Sequence, residues 1–284
     1  MGTRWSAIER AAQHDPTARL PWRVDGRVVG SVARAHLELL RELQAPLEVD
    51  QQGLTLALPP AGRDEALHRL HLALREAGVL KGWRDETFEL LDPATDEVLA
   101  HIERAAARFW GALTLGAHAT GYVAGADGRP AALWIAQRAW NKATDPGRFD
   151  NLIGGGVPAG QSPWEALVRE GWEEAGLMPD EVRLARAGRV LRLVRDIPEG
   201  LQHERIHAFE LALPVDRQPS NQDGEVAGFR LLPVDEALEL AAGDTMTVDA
   251  ALVTLEFALR HGLLPAAQAA RLEARSRDRW VGPG

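Results

Sequence analysis

Apolar residues recur along the chain with two different periods. Residues 31–44 (Val32, Leu37, Leu39, Leu40, Leu43) and 64–78 (Leu67, Leu70, Leu72, Leu74, Ala77) follow the spacing of amphipathic helices, and Gly78 stands where a C-cap is expected. Between them, residues 47–58 read as strand material broken at Gln51-Gln52-Gly53. Residues 83–91 and 98–102 read as two more strands flanking the turn Asp92-Pro93-Ala94-Thr95-Asp96. Beyond residue 105 the pattern changes. Residues 113–124 and 131–139 are strand-like and joined by Gly125-Ala126-Asp127-Gly128, a hairpin signal, and a turn-rich loop covers 141–150. Strand-like runs return at 184–194 and 205–213, followed by helices at 234–242 and 248–261 and an Arg/Ala-rich surface helix at 265–279. This order predicts a small α+β domain over residues 1–105, with no evident chemistry, then an α/β domain over 106–284 that closes with helices.

Composition narrows the function classes. The 284 residues carry 41 acidic and 32 basic side chains, a net charge of -9, which argues against a nucleic-acid-coating surface while leaving room for a local basic pocket. Only Lys81 and Lys142 are lysines; the other basic residues are arginines. Cysteine is absent, which excludes disulfides, thiolate metal sites and a Cys nucleophile and suits a reducing cytoplasm. No apolar run approaches the ~18–20 residues that a membrane-spanning helix needs.

Residues 154–177, GGGVPAGQSPWEALVREGWEEAGL, carry the chemistry. Ser162, Pro163 and Glu165 spell a capping box with proline at the first helical position, and Gly176-Leu177 spells a left-handed stop, so the spacing predicts a helix over 163–175. Trp164, Leu167, Val168, Gly171 and Ala175 fall on one side of it. Gly171 costs about 1 kcal/mol relative to alanine in mid-helix, which points to a neighbour packed close against it. Glu170, Glu173 and Glu174 fall on an adjacent arc. Glutamates spaced in this way ordinarily form a solvated face. Held together and ionised they repel one another, and a hard divalent cation such as Mg²⁺ or Mn²⁺ would relieve that repulsion.

The segment resembles the Nudix hydrolase motif G-x5-E-x7-R-E-U-x-E-E-x-G-U, where U is a bulky aliphatic residue. Gly155 takes the first glycine, Arg169-Glu170 the R-E pair, Glu173-Glu174 the E-E pair and Gly176-Leu177 the close. Gln161 replaces the first glutamate and Gly171 the first aliphatic residue; Glu165, four residues before Arg169, is a candidate to supply the missing acidic partner. Lys142-Ala-Thr-Asp-Pro-Gly147 with Asp150-Asn151, and the later Arg260-His261-Gly262, resemble a Nudix branch that includes the Nudix portion of fungal thiamine pyrophosphokinase fusions, with an N-terminal domain of unknown function. Isopentenyl diphosphate isomerases share a similar Lys-x-Thr-x-Pro-Gly stretch, but their reaction needs a cysteine that this chain lacks.

The resemblance implies an α/β/α sandwich around a mixed sheet, a small-molecule diphosphate substrate, a homodimer, and Mg²⁺ (or Mn²⁺) held by Glu170, Glu173, Glu174 and a carbonyl of the glycine loop at Gly155. Arg169 braces the loop, and Glu173, Glu174 and Glu225 are the candidates for proton transfer, with the base left open between Glu173 and Glu225. Arg138, Lys142 and Arg148 precede the motif as candidate phosphate contacts, and Trp140 is a candidate to stack on a substrate ring or simply to pack. His203 and His207 sit on one strand face too far apart to share an ion, His261 reads as structural, and Arg186, Arg189, Arg192 and Arg195 read as a solvent-facing strand charge. Two functions fit: a Mg²⁺-dependent hydrolase of a nucleotide- or thiamine-diphosphate-like metabolite, or a non-catalytic Nudix-fold sensor of diphosphates.

Overall fold

The helix written most completely into the sequence is present with both its ends. Ser162 Oγ accepts the Glu165 amide, and the Glu165 carboxylate accepts the Ser162 amide at 2.8 Å. At the other end Gly176 takes φ 64° and donates to the Trp172 carbonyl, while the Leu177 amide closes on Gly171. The computed structural model describes residues 4–50 and 52–281.

In chain order the elements are α1 (Ser6–Arg10), β1 (Arg19–Val24), β2 (Arg27–Ala33), α2 (Leu37–Glu42), β3 (Leu47–Asp50), β4 (Gly53–Leu56), α3 (Pro60–Glu76), β5 (Thr87–Leu91), β6 (Val98–Glu103) and α4 (Arg104–Trp110). Then come β7 (Leu113–Ala124), β8 (Pro130–Arg138), β9 (Phe149–Asp150), β10 (Ile153–Gly156), α5 (Pro163–Ala175), α6 (Pro179–Val182), β11 (Arg186–Ile197) and β12 (Gly200–Ala212). The chain ends with β13 (Val226–Pro233), α7 (Val234–Ala242), α8 (Val248–Arg260), α9 (Ala266–Ser276) and β14 (Trp280–Val281). Residues 31–33, expected in a helix, finish β2 instead, because Val29 and Val32 are buried against the sheet and its neighbours. The expected strand break at 51–53 separates β3 from β4; Gln51 itself lies outside the described residues.

The main sheet runs β13-β8-β7-β12-β11-β14, with β10 laid along β7 and β9 along β8. Among the described residues β7 and β12 pair in parallel and the other neighbouring strands of this sheet antiparallel, so the sheet is mixed. The period-two rule then builds two cores. Leu133 and Ile135 of β8 and Ile206 and Ala208 of β12 enter one cluster with α7 and α8. Trp134, Phe209 and Leu211 enter the opposite cluster with α5. The result is the α/β/α sandwich. Residues 20–112 form a third cluster around Trp22 and Trp110, beneath the four-stranded sheet β2-β1-β4-β3 and the hairpin β5-β6.

The start of the chain departs from the expected order. Trp5, Ala7, Ile8 and Ala11 are buried in the sandwich core, not with the rest of residues 1–105. The Trp5 indole donates to the Ala251 carbonyl in α8 at 3.1 Å, and the Ala11 and Gln13 carbonyls accept amides from β11. A large indole with a polar edge is best satisfied where an apolar bed and a free carbonyl coincide, and α8 offers both.

On α5 the buried positions are Ala166, Leu167, Glu170, Gly171, Glu174 and Ala175, so two glutamates belong to the inward stripe; Trp164 and Val168 pack at its margin. A Cβ on Gly171 would meet Val182 Cγ2 at 2.7 Å and Ile153 Cδ1 at 3.3 Å, which accounts for glycine where the motif has an aliphatic residue. Gly171→Val should therefore destabilise the protein by roughly 1–3 kcal/mol through overpacking, read as a lowered urea midpoint with an unchanged m value. A midpoint equal to wild type would mean that α5 is not held this close.

Candidate functional site

The site begins with three consecutive glycines in β10, each at a place where a side chain comes too near for a Cβ. A Cβ on Gly154 would lie 2.9 Å from the His118 ring, on Gly155 2.1 Å from Glu170 Oε1, and on Gly156 2.7 Å from Phe88 Cζ. Glycine is required here for close approach. Because β10 lies along β7 under α5, the carboxylates of the helix press directly on its backbone. Glu174 accepts the Gly154 amide at 2.8 Å. Arg169 braces the opposite flank: it donates to Glu173 at 2.7 Å, to Glu170 at 2.9 Å and to Gln161 Oε1 at 3.4 Å.

This places the motif residues unequally. Glu170 and Glu174 are buried, and Glu170 lines a cavity of about 370 Å³ together with Gly154, Gly155 and Gly156. Glu173 is turned aside onto Arg169, so among the described residues no three acidic, His or Cys side chains converge tightly enough to cage an ion. Glu165 does not pair with Arg169 as expected, because its carboxylate is spent in the capping box; Gln161 keeps the brace as a neutral acceptor.

Burial pushes the Glu174 carboxyl well above the ordinary carboxylate range, and repulsion from Glu170 and Asp150 pushes it further. Burial also raises Glu170, opposed by the Arg169 guanidinium. Two desolvated carboxylates beside a strand of hard carbonyl oxygens form a donor set suited to a small divalent cation. The donor chemistry therefore suits Mg²⁺ or Mn²⁺, and Glu170, Glu174 and a Gly155 carbonyl are the groups that would hold it, with Glu173 turned onto Arg169.

The loop before the motif is held by its own cations. Arg138 lines the cavity, but its guanidinium is engaged by Asp150 at 3.0 Å and by the Thr144 and Asp145 carbonyls. Asn151 ties the same turn to Thr254 of α8 at 3.2 Å. Lys142 lines the cavity and pairs with Glu225. Arg148 does not reach the cavity: it bonds the Asp244 carbonyl and pairs with Asp145 at 3.2 Å, fastening the loop to the α7–α8 connection. Trp140 is 73% exposed and also lies outside the cavity lining, its ring covering Gly147, which has φ 71°. Glu225 lines the cavity between Lys142 and Arg84. Burial alone would raise its pKa, but hydrogen bonds and charge from those two cations hold it at about 2, which makes it a weak proton acceptor near neutrality.

His203 and His207 lie on β12 away from the cavity. His261 and Arg260 both hold Glu210, at 2.5 Å each, and have a packing role. Several cavity residues escaped the sequence reading. Arg195, expected to face solvent, turns inward to Gln202 at 2.6 Å; Gln202 in turn donates to Asp249 and Glu204. Arg84, Arg104 and Arg108 enter from the segment preceding β7. The run of arginines three apart in 186–195 was the available signal for Arg195. No local pattern marks the other three, since only the tertiary fold brings their segment to the cavity.

The family model described as NUDIX domain matches residues 114–250, and a Domain of unknown function (DUF4743) matches residues 4–114. Nudix hydrolase 24, chloroplastic, of Arabidopsis thaliana is 32% identical over 251 residues, spanning 86% of this chain and 68% of that protein. Nudix hydrolase 20, chloroplastic, of the same plant is 32% identical over 260 residues, with the same two shares, 86% and 68%. The crystal structure of DR0079 from Deinococcus radiodurans aligns at 25% identity with a TM-score of 0.48, covering 61% of this chain and 99% of that one.

The raised Glu174 carboxyl has a consequence for the metal-free protein. A carboxyl whose pKa is higher folded than unfolded adds stability below the unfolded value, about 4.3, and that stability is lost as pH rises through the folded value. In EDTA, Glu174→Gln should therefore melt with wild type near pH 4 and increasingly above it towards pH 8, by scanning calorimetry. A gap that stays constant or closes with rising pH would show that Glu174 is not a buried, strained charge.

Proposed function

This chain belongs to the Nudix hydrolase family, and on that premise we propose that it is a Mg²⁺-dependent enzyme cleaving a diphosphate joined to an organic moiety. The observation that carries the reading is the pair Glu170 and Glu174, buried against the glycine strand at the edge of a cavity. A family member that had lost its chemistry would have no reason to keep two desolvated carboxylates in repulsion. When bound, the cation supplies neutralisation of the diphosphate charge and activation of water.

The chain's own residues do the rest. Arg169 keeps Glu170 and Glu173 in register with β10, and the neutral Gln161 retains the brace that the usual glutamate would give. Lys142 sets a positive charge at the cavity wall, paired with Glu225 and close enough for its charge to be felt at Glu174, and the phosphate oxygens would lie along that wall. Arg138 fixes the loop that carries Lys142 rather than offering its full guanidinium to substrate. Water attacks one phosphorus in line, a phosphate leaves, and a carboxylate takes the proton. Two carboxylates are candidates for that base: Glu173, which is turned onto Arg169, and Glu225, which lines the cavity but whose proton affinity Lys142 and Arg84 lower.

The substrate class proposed is a thiamine-diphosphate-like metabolite, supported by the Lys142 to Gly147 and Arg260 to Gly262 resemblances, with nucleoside diphosphates next. Two domains meeting near residue 105, a homodimer, and a cytoplasmic location suggested by the lack of cysteine belong to the same proposal. Among the described residues no helix is long and apolar enough to cross a membrane.

A metal-dependent turnover assay over a panel of diphosphates tests the reading. Glu173→Gln and Glu174→Gln should each lower turnover by roughly 10²–10⁴ with folding intact, because glutamine keeps the helix and the acceptor for the Gly154 amide. Normal turnover in both variants, or no Mg²⁺-dependent turnover by wild type on any diphosphate, would transfer the case to the diphosphate-binding sensor.

A further inference from the structure

We propose that Arg84, Arg104 and Arg108 form an anion-binding wall of the cavity that holds the terminal phosphate of the diphosphate, and that this wall favours substrates whose outer phosphate is free over those esterified at both ends. The inference rests on the hydrolase reading of the same cavity and names what the segment before β7 contributes to it.

All three side chains line the cavity that Glu170 and the glycine strand also line. Arg104 and Arg108 stand one turn apart on α4 and so share a helix face, while Arg84 comes from the stretch between α3 and β5. Each is aimed by one carboxylate: Arg84 by Glu225, Arg104 by Glu86 at 2.6 Å, and Arg108 by Glu204 at 3.1 Å. The Arg104 guanidinium also lies over the Phe88 ring, 5.7 Å from its centroid, and Phe88 is itself wedged against Gly156. These contacts fix the direction of the arginines without exhausting them, because a guanidinium has five N–H donors.

Arg108 gives the second, independent sign. Its Nη1 is buried and has no hydrogen-bond partner. Buried donors are nearly always satisfied, so the unpartnered Nη1 leaves Arg108 with donor capacity that Glu204 does not use. The electrostatics agree: Glu170 acts on Arg84, and Arg104 acts on Glu170, so the wall and the carboxylate site lie within each other's field. A free terminal phosphate carries about −1.5 to −2 at neutral pH and three acceptor oxygens; an esterified one carries about one charge less and has one oxygen fewer to offer. Three guanidiniums match the former.

The test is calorimetric binding of methylenediphosphonate, whose carbon bridge cannot be hydrolysed, to the full chain in EDTA. Wild type should bind it, and Arg84→Ala, Arg104→Ala and Arg108→Ala should each weaken binding about tenfold or more, the size of one lost charge-assisted hydrogen bond. The P,P′-dimethyl ester of the same probe should bind wild type about tenfold more weakly, and that preference should vanish in Arg108→Ala. Arg108→Ala leaves the buried Glu204 without its cation, held only by Gln202, so if its melting temperature falls, Arg84→Ala, on a more exposed side chain, and Arg108→Gln decide. Probe binding unchanged in those folded variants, or equal binding of the two probes, overturns the wall. Because no metal and no turnover enter the measurement, its result is independent of the turnover assay: Arg-dependent binding with no hydrolysis of any diphosphate would retain the wall and sink the hydrolase reading.

Discussion

The structure turns on two carboxylates that are buried beside each other. Desolvating Glu170 and Glu174 together is costly, and the surrounding fold is arranged to impose it. The helix that carries them is capped at both ends by its own sequence, so it cannot unwind to release them. Gly171 lets that helix settle onto Val182 and Ile153, and the glycines of β10 let the strand rise to meet the carboxylates. Arg169 offsets part of the charge from the outer side only. What remains is an oxygen-rich pair of carboxyls that a cation would complete under the function proposed above.

The cations of the cavity come from two parts of the chain, and this makes the N-terminal segment more than an appendage. Arg84 meets Glu225 and Lys142 in one ion cluster, and Arg108 reaches Glu204 on β12. In return, Trp5 and the first helix are buried in the core of the sandwich, so the chain crosses from one unit to the other and back before β7 begins. Any movement of residues 84–108 relative to the sheet would be felt at the cavity wall. The two regions matched by family models meet at residue 114.

The sequence was most legible where local chemistry decides the structure. The capping box, the left-handed Gly176, the close approach at Gly171 and the long strands β7, β8, β11 and β12 could be read because each depends on neighbours within a few residues or on period-two alternation, whereas β10, expected as a glycine loop, and β13 could not. The site was legible only as far as the motif extends. The spacing grouped Glu170, Glu173 and Glu174 on one arc, but it could not show that Arg169 would draw Glu173 outward while β10 kept the other two inside. Arg148 reads as a candidate phosphate contact, and Trp140 as one either to stack on substrate or to pack, because they lie in the loop before the motif, yet that loop's fastening to residues 244–246 and the Trp140 ring's contact with Gly147 turn both away from the cavity. Arg84, Arg104, Arg108 and Asp249 could not be found at all, since only long-range packing gathers them.

The central claim is that proton and cation compete for the Glu170–Glu174 pair. Titrating the full chain with Mg²⁺ or Mn²⁺ at a series of pH values upward from the ordinary carboxylate range, in buffers of different ionisation enthalpy, measures the protons exchanged on binding. The account predicts net proton release by wild type that is lost in Glu174→Gln, together with weaker binding. Metal binding without proton release, or with the same affinity in that variant, would contradict it.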